Sequence, residues 1–195
     1  MKMERDFLKD RIRQQVAAER AALESMGLSG KSGAYLLFDK DGQLKQSGRI
    51  DNLVVDEGDD YLVDQLASSP AIGAMDCIVL GTGYSSITKG DVWVTTGFAG
   101  NGHDTIGEGG LDTGFPKIKP SSGNENILQF QATFNAGYAT QNGIDEAIIS
   151  NVNPDGSGGD PGSSTILAHG QLTPEVNKGA SDSLVVVWEI TFLGA

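Results

Sequence analysis

The sequence is poor in the residues that most often carry catalysis, redox chemistry or metal binding. It contains one cysteine, Cys77, two histidines, and no arginine after Arg49. A single cysteine excludes an intramolecular disulfide. Because Cys77 lies in the apolar run 77–80, we expect a buried thiol and folding in a reducing cytoplasm. Residues 50–195 therefore contain no guanidinium group, the side-chain group that most often binds phosphate or carboxylate substrates through two parallel hydrogen bonds.

Long apolar runs and a basic surface are also missing. No apolar stretch approaches the roughly 20 residues of a membrane span, and the charged first residues do not resemble a signal peptide. The net charge is −12, and it divides unevenly between residues 1–27 (+6 − 5 = +1) and residues 28–195 (+8 − 21 = −13). Because an acidic body repels phosphate backbones, we expect no direct binding of nucleic acid and no membrane partner.

Glycine is abundant, with 27 residues against 6 prolines, and this favours a chain of many short strands and tight turns. We predict a mainly β domain over residues 34–195, of β-sandwich or jelly-roll-like type with about eight strands. One short internal helix is predicted at 61–67, after an acidic start at 56–60. The clearest predicted strands are 34–38, 43–50, 75–81, 127–134, 144–150 and 183–192.

Residues 1–27 have a different pattern, typical of a helical arm. Strong helix formers dominate, and the first glycine is Gly27. Apolar residues at spacings of three, four and seven form a narrow seam, which fits a partner surface and equally fits packing on the chain's own domain. Residues 28–33 are predicted as a hinge. On the partner interpretation, the contact residues of the arm are Phe7, Leu8, Ile12, Val16 and Leu23.

Partial motifs for chemistry do not reach a diagnostic spacing. The run Asp39–Gly42 begins like an EF-hand loop but lacks the later ligands, so a hairpin turn is predicted. Gly81–Gly83 with Lys89 lacks the phosphate-loop spacing and is read as a turn after a strand. His103 and His169 each stand without a metal-ligand neighbour in sequence. We therefore assign no catalytic, cofactor or metal site.

The stretch 82–126 is rich in glycine and polar residues and too long for a plain connection. It is predicted to be a functional excursion or a set of short irregular strands. Its carboxylates Asp104, Glu108 and Asp112 are the candidates for a carbohydrate-hydrolysing pair, although any acidic loop would supply such groups. The acidic runs 104–108 and 155–160 are weak candidates for calcium, and solvated loops are the simpler reading.

Four stretches, taken in order, resemble tailed-bacteriophage structural proteins. Residues 52–66 combine an Asn-x-Val start, a glycine four residues later and a Leu-Val-Asp-Gln-Leu end. Residues 78–83 read Ile-Val-Leu-Gly-Thr-Gly, and residues 144–149 read Ile-Asp-Glu-Ala-Ile-Ile. The last stretch, 172–192, ends in Asp-Ser-Leu-Val-Val-Val-Trp-Glu-Ile-Thr-Phe. The four stretches lie within residues 50–83 and 127–192, two regions that together make up just over half of the chain.

The resemblance implies a virion structural protein that is not an enzyme. The leading hypothesis is a capsid decoration (cement) protein, assembled in the host cytoplasm, that binds the major capsid protein or other virion proteins. The family implies a homo-oligomer, typically a trimer. A tail, neck or fibre component with the same domain is the second hypothesis, and a carbohydrate-binding module on the virion is the third.

Overall fold

Eight strands and one helix form the part of the chain that the computed structural model describes, residues 32–98, 100, 110–119, 127–154 and 157–191. A mainly β class with an internal helix is confirmed. The predicted arm and its contact residues Phe7, Leu8, Ile12, Val16 and Leu23 lie outside the described residues. In chain order the elements are β1 (Ser32–Phe38), β2 (Leu44–Val54), α1 (Asp56–Gln65), β3 (Cys77–Thr82), β4 (Lys117–Ile118), β5 (Ile127–Phe134), β6 (Gln141–Ser150), β7 (Ile166–Lys178) and β8 (Ser183–Thr191).

The strands form one antiparallel sheet in the order β3-β6-β7-β2-β1-β8-β5-β4. The sheet is curled, because β3 contacts β5 although five strands separate them in the sheet, and β1 contacts β7. The inner face therefore closes around its own apolar side chains. On that face Phe130 pairs with Trp188 and Phe134 with Leu184, and all four are buried. Burial of each such side chain is worth about 1.5 to 3 kcal/mol.

Strand β8 is buried on both faces between β1 and β5, as its unbroken apolar middle predicts. Its inner side chains alternate with Val185 and Val187, which point to the outer face. The outer face of the sheet thus carries apolar groups as well. They form two clusters, one on β3, β6 and β7 and the other on β1 and β8.

The turn that joins β1 to β2 is the predicted hairpin. The Asp39 Oδ1 atom accepts hydrogen bonds from the backbone N–H groups of Asp41 at 2.8 Å and Gln43 at 2.9 Å. Gly42 has a φ of 77°, a conformation that favours glycine. This turn lies at the opposite end of β1 from Ser32. Because β8 runs antiparallel to β1, Thr191 lies at the Ser32 end.

Several element boundaries differ from the sequence prediction: β2 extends to Val54, β3 begins at Cys77 and β6 begins at Gln141. Strand β1 begins at Ser32, so the last two residues of the predicted hinge belong to the sheet. Helix α1 spans Asp56–Gln65, so the acidic residues that were placed at its start form its first turn, and it ends two residues before the predicted end at Ala67.

The largest difference between the sequence prediction and the structure is strand β7. Its 13 residues are the longest strand of the described chain, and sequence analysis did not predict it. Pro174, Gly170 and His169 interrupt the alternating apolar pattern that identifies strands.

Candidate functional site: a buried histidine latch

The outer face of β3, β6 and β7 is covered by residues 83–98, which we call the strap. The strap places Val94 against a buried cluster, and Trp93 packs on its edge. The strap is connected to the end of β3, since Thr96 near the end of the strap forms an antiparallel β-bridge with Thr82. The buried cluster on the sheet consists of Val55, Cys77, Val79, Ile148 and Ile166.

Next to this cluster, His169 of β7 lies between two carboxylates. Its Nδ1 atom is 2.8 Å from Asp91 Oδ2 of the strap, and its Nε2 atom is 2.8 Å from Glu146 Oε2 of β6. The side chain of His169 is 2% exposed and that of Glu146 is fully buried. We call these three residues the latch, because they connect the strap to two neighbouring strands.

Each carboxylate of the latch is also held by the strap backbone. Glu146 Oε1 accepts a hydrogen bond from Thr95 N at 2.6 Å, and Glu146 Oε2 accepts one from Thr95 Oγ1 at 3.0 Å. Asp91 accepts from Thr88 N at 2.9 Å and from Thr88 Oγ1 at 2.6 Å. The buried charges therefore have the partners that make such groups tolerable in a protein interior.

The geometry favours the protonated form of His169. A carboxylate that is ionised only accepts hydrogen bonds, so a ring between two such groups donates from both nitrogens as an imidazolium. Burial alone would lower the pKa of His169, but its hydrogen bonds and charge attraction to Glu146 and Asp91 outweigh burial and raise the pKa above its ordinary value. Burial alone would raise the pKa of Asp91, whereas hydrogen bonds from Thr88 and His169 lower it.

The latch is expected to weaken as the pH rises above neutrality. The pKa of folded His169 lies above the ordinary 6.5, so its contribution to stability is complete below about pH 6.5 and is lost as the pH rises through the folded-state pKa. The pKa of folded Asp91 lies below the ordinary 3.8, so its contribution is present above about pH 3.8 and is lost below it. Urea unfolding should show a plateau in weak acid and a decline above about pH 6.5.

The control for this titration is the His169→Gln variant, which should lack the decline. The series should stop near pH 8, because burial also raises the pKa of the Cys77 thiol, and this group adds its own slope above about pH 8.5. An equal decline in the wild type and the variant between about pH 6.5 and pH 8 would show that His169 is not its source.

The arrangement is suited to holding a segment rather than to binding a metal. Asp91 and Glu146 contact opposite nitrogens of the ring, so the three side chains do not converge on one point. Across residues 32–98, 110–119, 127–154 and 157–191, no group of three or more His, Cys, Asp or Glu side chains could hold a metal ion.

Sequence reasoning treated His169 as isolated, and the structure corrects this. Its partners are 78 and 23 positions away, so no local spacing could reveal them. A weak signal was present, since Glu146 and His169 are ionisable residues inside apolar strand segments, and such residues need partners. His103 lies outside the described residues.

The predicted carbohydrate-site carboxylates are only partly described. Asp104 and Glu108 lie outside the described residues. The carboxylate of Asp112 accepts hydrogen bonds from Thr133 N at 3.0 Å, Thr133 Oγ1 at 2.8 Å and Gln131 Nε2 at 2.8 Å. Asp112 therefore fastens its loop to β5.

The predicted turn at 81–83 is only partly correct. Gly81 and Thr82 are the last residues of β3, and Gly83, with a φ of 82°, is the first residue after the strand. In the second acidic run Asp160 Oδ1 accepts hydrogen bonds from Gly162 N and Ser164 Oγ, while Asp155 lies outside the described residues.

Comparison of the chain with known protein families, with curated proteins and with solved structures finds no match. The helix in the described part of the chain is too short and too polar to cross a membrane.

Proposed function

We propose that the protein is a structural component of a tailed-bacteriophage virion, of the capsid decoration (cement) type. In this proposal it binds the major capsid protein or another virion protein through non-covalent contacts and stabilises the shell. It acts in the virion after assembly in the host cytoplasm. No chemical step is required, because the function is the added interface itself.

The segments that carry the resemblance support the proposal by their placement. Residues 52–66 form the end of β2 and helix α1, and residues 78–83 begin in β3. Residues 144–149 lie in β6, which pairs with β3 through Ile78 and Ile149. Two of the matching stretches thus lie side by side in the sheet.

The observation that carries the proposal is the division between an acidic body and a nearly neutral arm. Residues 28–195 have a charge of −13 and residues 1–27 a charge of +1. Five large apolar side chains remain exposed in the described body: Leu44, Val63, Leu66, Val92 and Ile118. Single exposed apolar residues are normal on a soluble surface, and of these five Val63 and Leu66 are neighbours one turn apart at the end of α1. The arm therefore supplies the apolar contact surface in this proposal, beginning at Phe7 and Leu8.

The proposal includes a finer fold and an assembly state. The curled sheet would act as a two-layered sandwich of jelly-roll type, and the contact of β3 with β5, which are five strands apart in the sheet, supports two facing layers. Copies would associate as a homotrimer. Several weak arms on one trimer raise the effective concentration at the shell, so that avidity exceeds the affinity of one arm.

Deleting residues 1–27 is expected to abolish particle binding and to leave a folded body. The matched variant is Phe7→Ser/Leu8→Ser in the full chain, which should weaken binding at least about tenfold if each arm loses about 1.4 kcal/mol of contact. Binding is measured by co-sedimentation with the phage particles or empty shells.

The result that contradicts the arm proposal is undiminished binding by the truncated chain. Copy number on the particle separates decoration from the second candidate, since hundreds of copies indicate a shell protein and a dozen or fewer indicate a tail, neck or fibre component.

A further inference from the structure

The strap is anchored to strand β6 near its start and again near its end. At the start, the backbone N–H group of Tyr84 donates to both carboxylate oxygens of Asp145, each at 3.2 Å. At the end, Thr95 donates to Glu146 through its backbone N–H group and through its hydroxyl group. Residues 85–92 lie between these two anchors, and we call them the strap loop.

Apolar packing contributes little to holding the strap loop. Residues 83–98 contain neither a helix nor a strand, and the one buried side chain among them is that of Val94, which lies outside the loop. Within the loop, Ile87 is partly buried and Val92 is 54% exposed. A segment with so few buried apolar side chains can open locally without unfolding the rest of the protein.

Two residues of the strap loop tie it to the body. The backbone oxygen of Lys89 accepts a hydrogen bond at 2.8 Å from Asp56 N, at the start of α1, and the Lys89 ammonium group pairs with Asp59. The second tie is the contact of Asp91 with the ring of His169. Because the Lys89–Asp59 pair is 47% and 58% exposed, solvent screens it, and the contact with the buried ring is the stronger tie.

The two carboxylates of the latch differ in their freedom to move. Glu146 is fully buried on β6, and the pairing of β6 with β7 places Ile148 opposite His169 and so fixes the strand. Asp91 belongs to the loop, and its side chain is 19% exposed. A neutral imidazole keeps one N–H group and cannot donate to both carboxylates. The fully buried carboxylate keeps this donor, because an unpaired charge costs more in the interior than in water.

We propose that His169 is a pH-dependent catch for the strap loop: loss of its proton releases Asp91 and opens residues 85–92, while Glu146 keeps the Nε2–H group and the sheet stays folded. The anchors at Tyr84 and Thr95 act as the hinges, since their hydrogen bonds go to β6 and not to His169. The catch lies within the body, so it operates whether or not the chain binds a virion.

The charged groups on the elements packed against His169 are carboxylates and one lysine. Strand β2 places the uncharged Leu53 opposite the ring. Carboxylates and lysines ordinarily titrate well outside the range of about pH 6 to 8, so the histidine is the group of this set that changes charge there. The charged residues are Asp91 and Lys89 of the strap, Asp145 and Glu146 of β6, and Glu57 and Asp59 of α1.

The test is amide hydrogen exchange of the full chain, followed residue by residue between about pH 5.5 and pH 8, with each rate divided by the intrinsic rate at that pH. The reporter is the Asp56 N–H group, whose acceptor is the loop oxygen of Lys89. Its exchange should rise by up to about tenfold per pH unit between about pH 6.5 and the folded-state pKa of His169, because opening then releases one proton. The amides of Tyr84 and Thr95 should show no such rise.

Two outcomes for the unmodified chain overturn the inference. One is protection of the Asp56 amide that does not change with pH. The other is a parallel rise at Tyr84 and Thr95, because the whole strap or the whole protein would then be opening. A third readout is the nitrogen NMR signal of the neutral ring, which should show His169 protonated at Nε2, and a ring protonated at Nδ1 contradicts the retained contact with Glu146.

Matched variants identify the group that controls the loop. Asp91→Ala removes the loop side of the latch and leaves the His169–Glu146 contact, so the Asp56 amide should exchange rapidly at every pH. Asp59→Asn removes the other tie of the loop and should keep the pH dependence. His103→Gln should keep it as well, since His103 is the second histidine of the chain. A pH dependence that survives Asp91→Ala, or that disappears in His103→Gln, overturns the inference.

Discussion

Replacing His169 with glutamine is expected to lower the free energy of unfolding by about 3 to 5 kcal/mol, the usual loss when one partner of a buried ion pair is removed. Glutamine has no positive charge and cannot donate to carboxylates on both sides. Glu146 would then remain as an uncompensated charge in a fully buried site. Urea or thermal unfolding of the purified variant measures the loss.

Two further variants test whether the loss arises from the latch. In the double variant His169→Gln/Glu146→Gln no charge remains at the buried end, so the combined loss should be smaller than the sum of the single losses. Asp51→Asn is the surface control, because the Arg49–Asp51 pair is 66% and 54% exposed and such pairs contribute about 0 to 1 kcal/mol. Additive losses in the double variant would refute the ionic coupling.

Replacing Gly58 with alanine is expected to destabilise the protein by about 2 kcal/mol, although alanine favours helices. Gly58 lies inside α1, where alanine alone would contribute about 1 kcal/mol of stability. A Cβ atom at this position would lie 2.1 Å from the backbone oxygen of Leu167 in β7. Overpacking of this kind costs about 1 to 3 kcal/mol or more, because the helix must move off the strand.

The contact at Gly58 belongs to a wider connection between α1 and β7. Val55 N donates to Leu167 O at 3.3 Å, and Glu57 Oε2 accepts from Ile166 N at 3.1 Å. The helix therefore cannot shift without losing these hydrogen bonds. Gly73→Ala is the matched control, since a Cβ there meets nothing within 4 Å. A stabilised Gly58→Ala variant would show that helix propensity outweighs the close approach.

The sequence predicted well those elements whose signal is local. Strand β5 was predicted with the bounds that the structure has, because its buried residues alternate along Ile127–Phe134. The first hairpin followed from the turn chemistry of Asp39 and Gly42. In both cases the residues that determine the element lie within it.

Strand β7 and the latch were missed because their determinants are distant in sequence. Glycine in general weakens a strand, yet a Cβ at Gly170 would lie 2.5 Å from Ile50 Cγ2 and 2.9 Å from the Trp188 ring, so the core requires glycine there. His169 looks unsuited to a buried strand until Asp91 and Glu146 are placed beside it. Such compensation between remote residues leaves no periodic pattern in a single sequence.

The antiparallel pairing of β1 with β8 gives the body a proximal and a distal pole. Ser32 and Thr191 mark the proximal pole, where both flanking segments join the sheet, and the Asp39–Gly42 turn marks the distal one. Lys40 and Asp41 at that turn are exposed, and loop tips of this kind tolerate insertions. A foreign peptide inserted between them would be displayed at the distal pole of the body, away from both ends of the sheet's chain segments at Ser32 and Thr191.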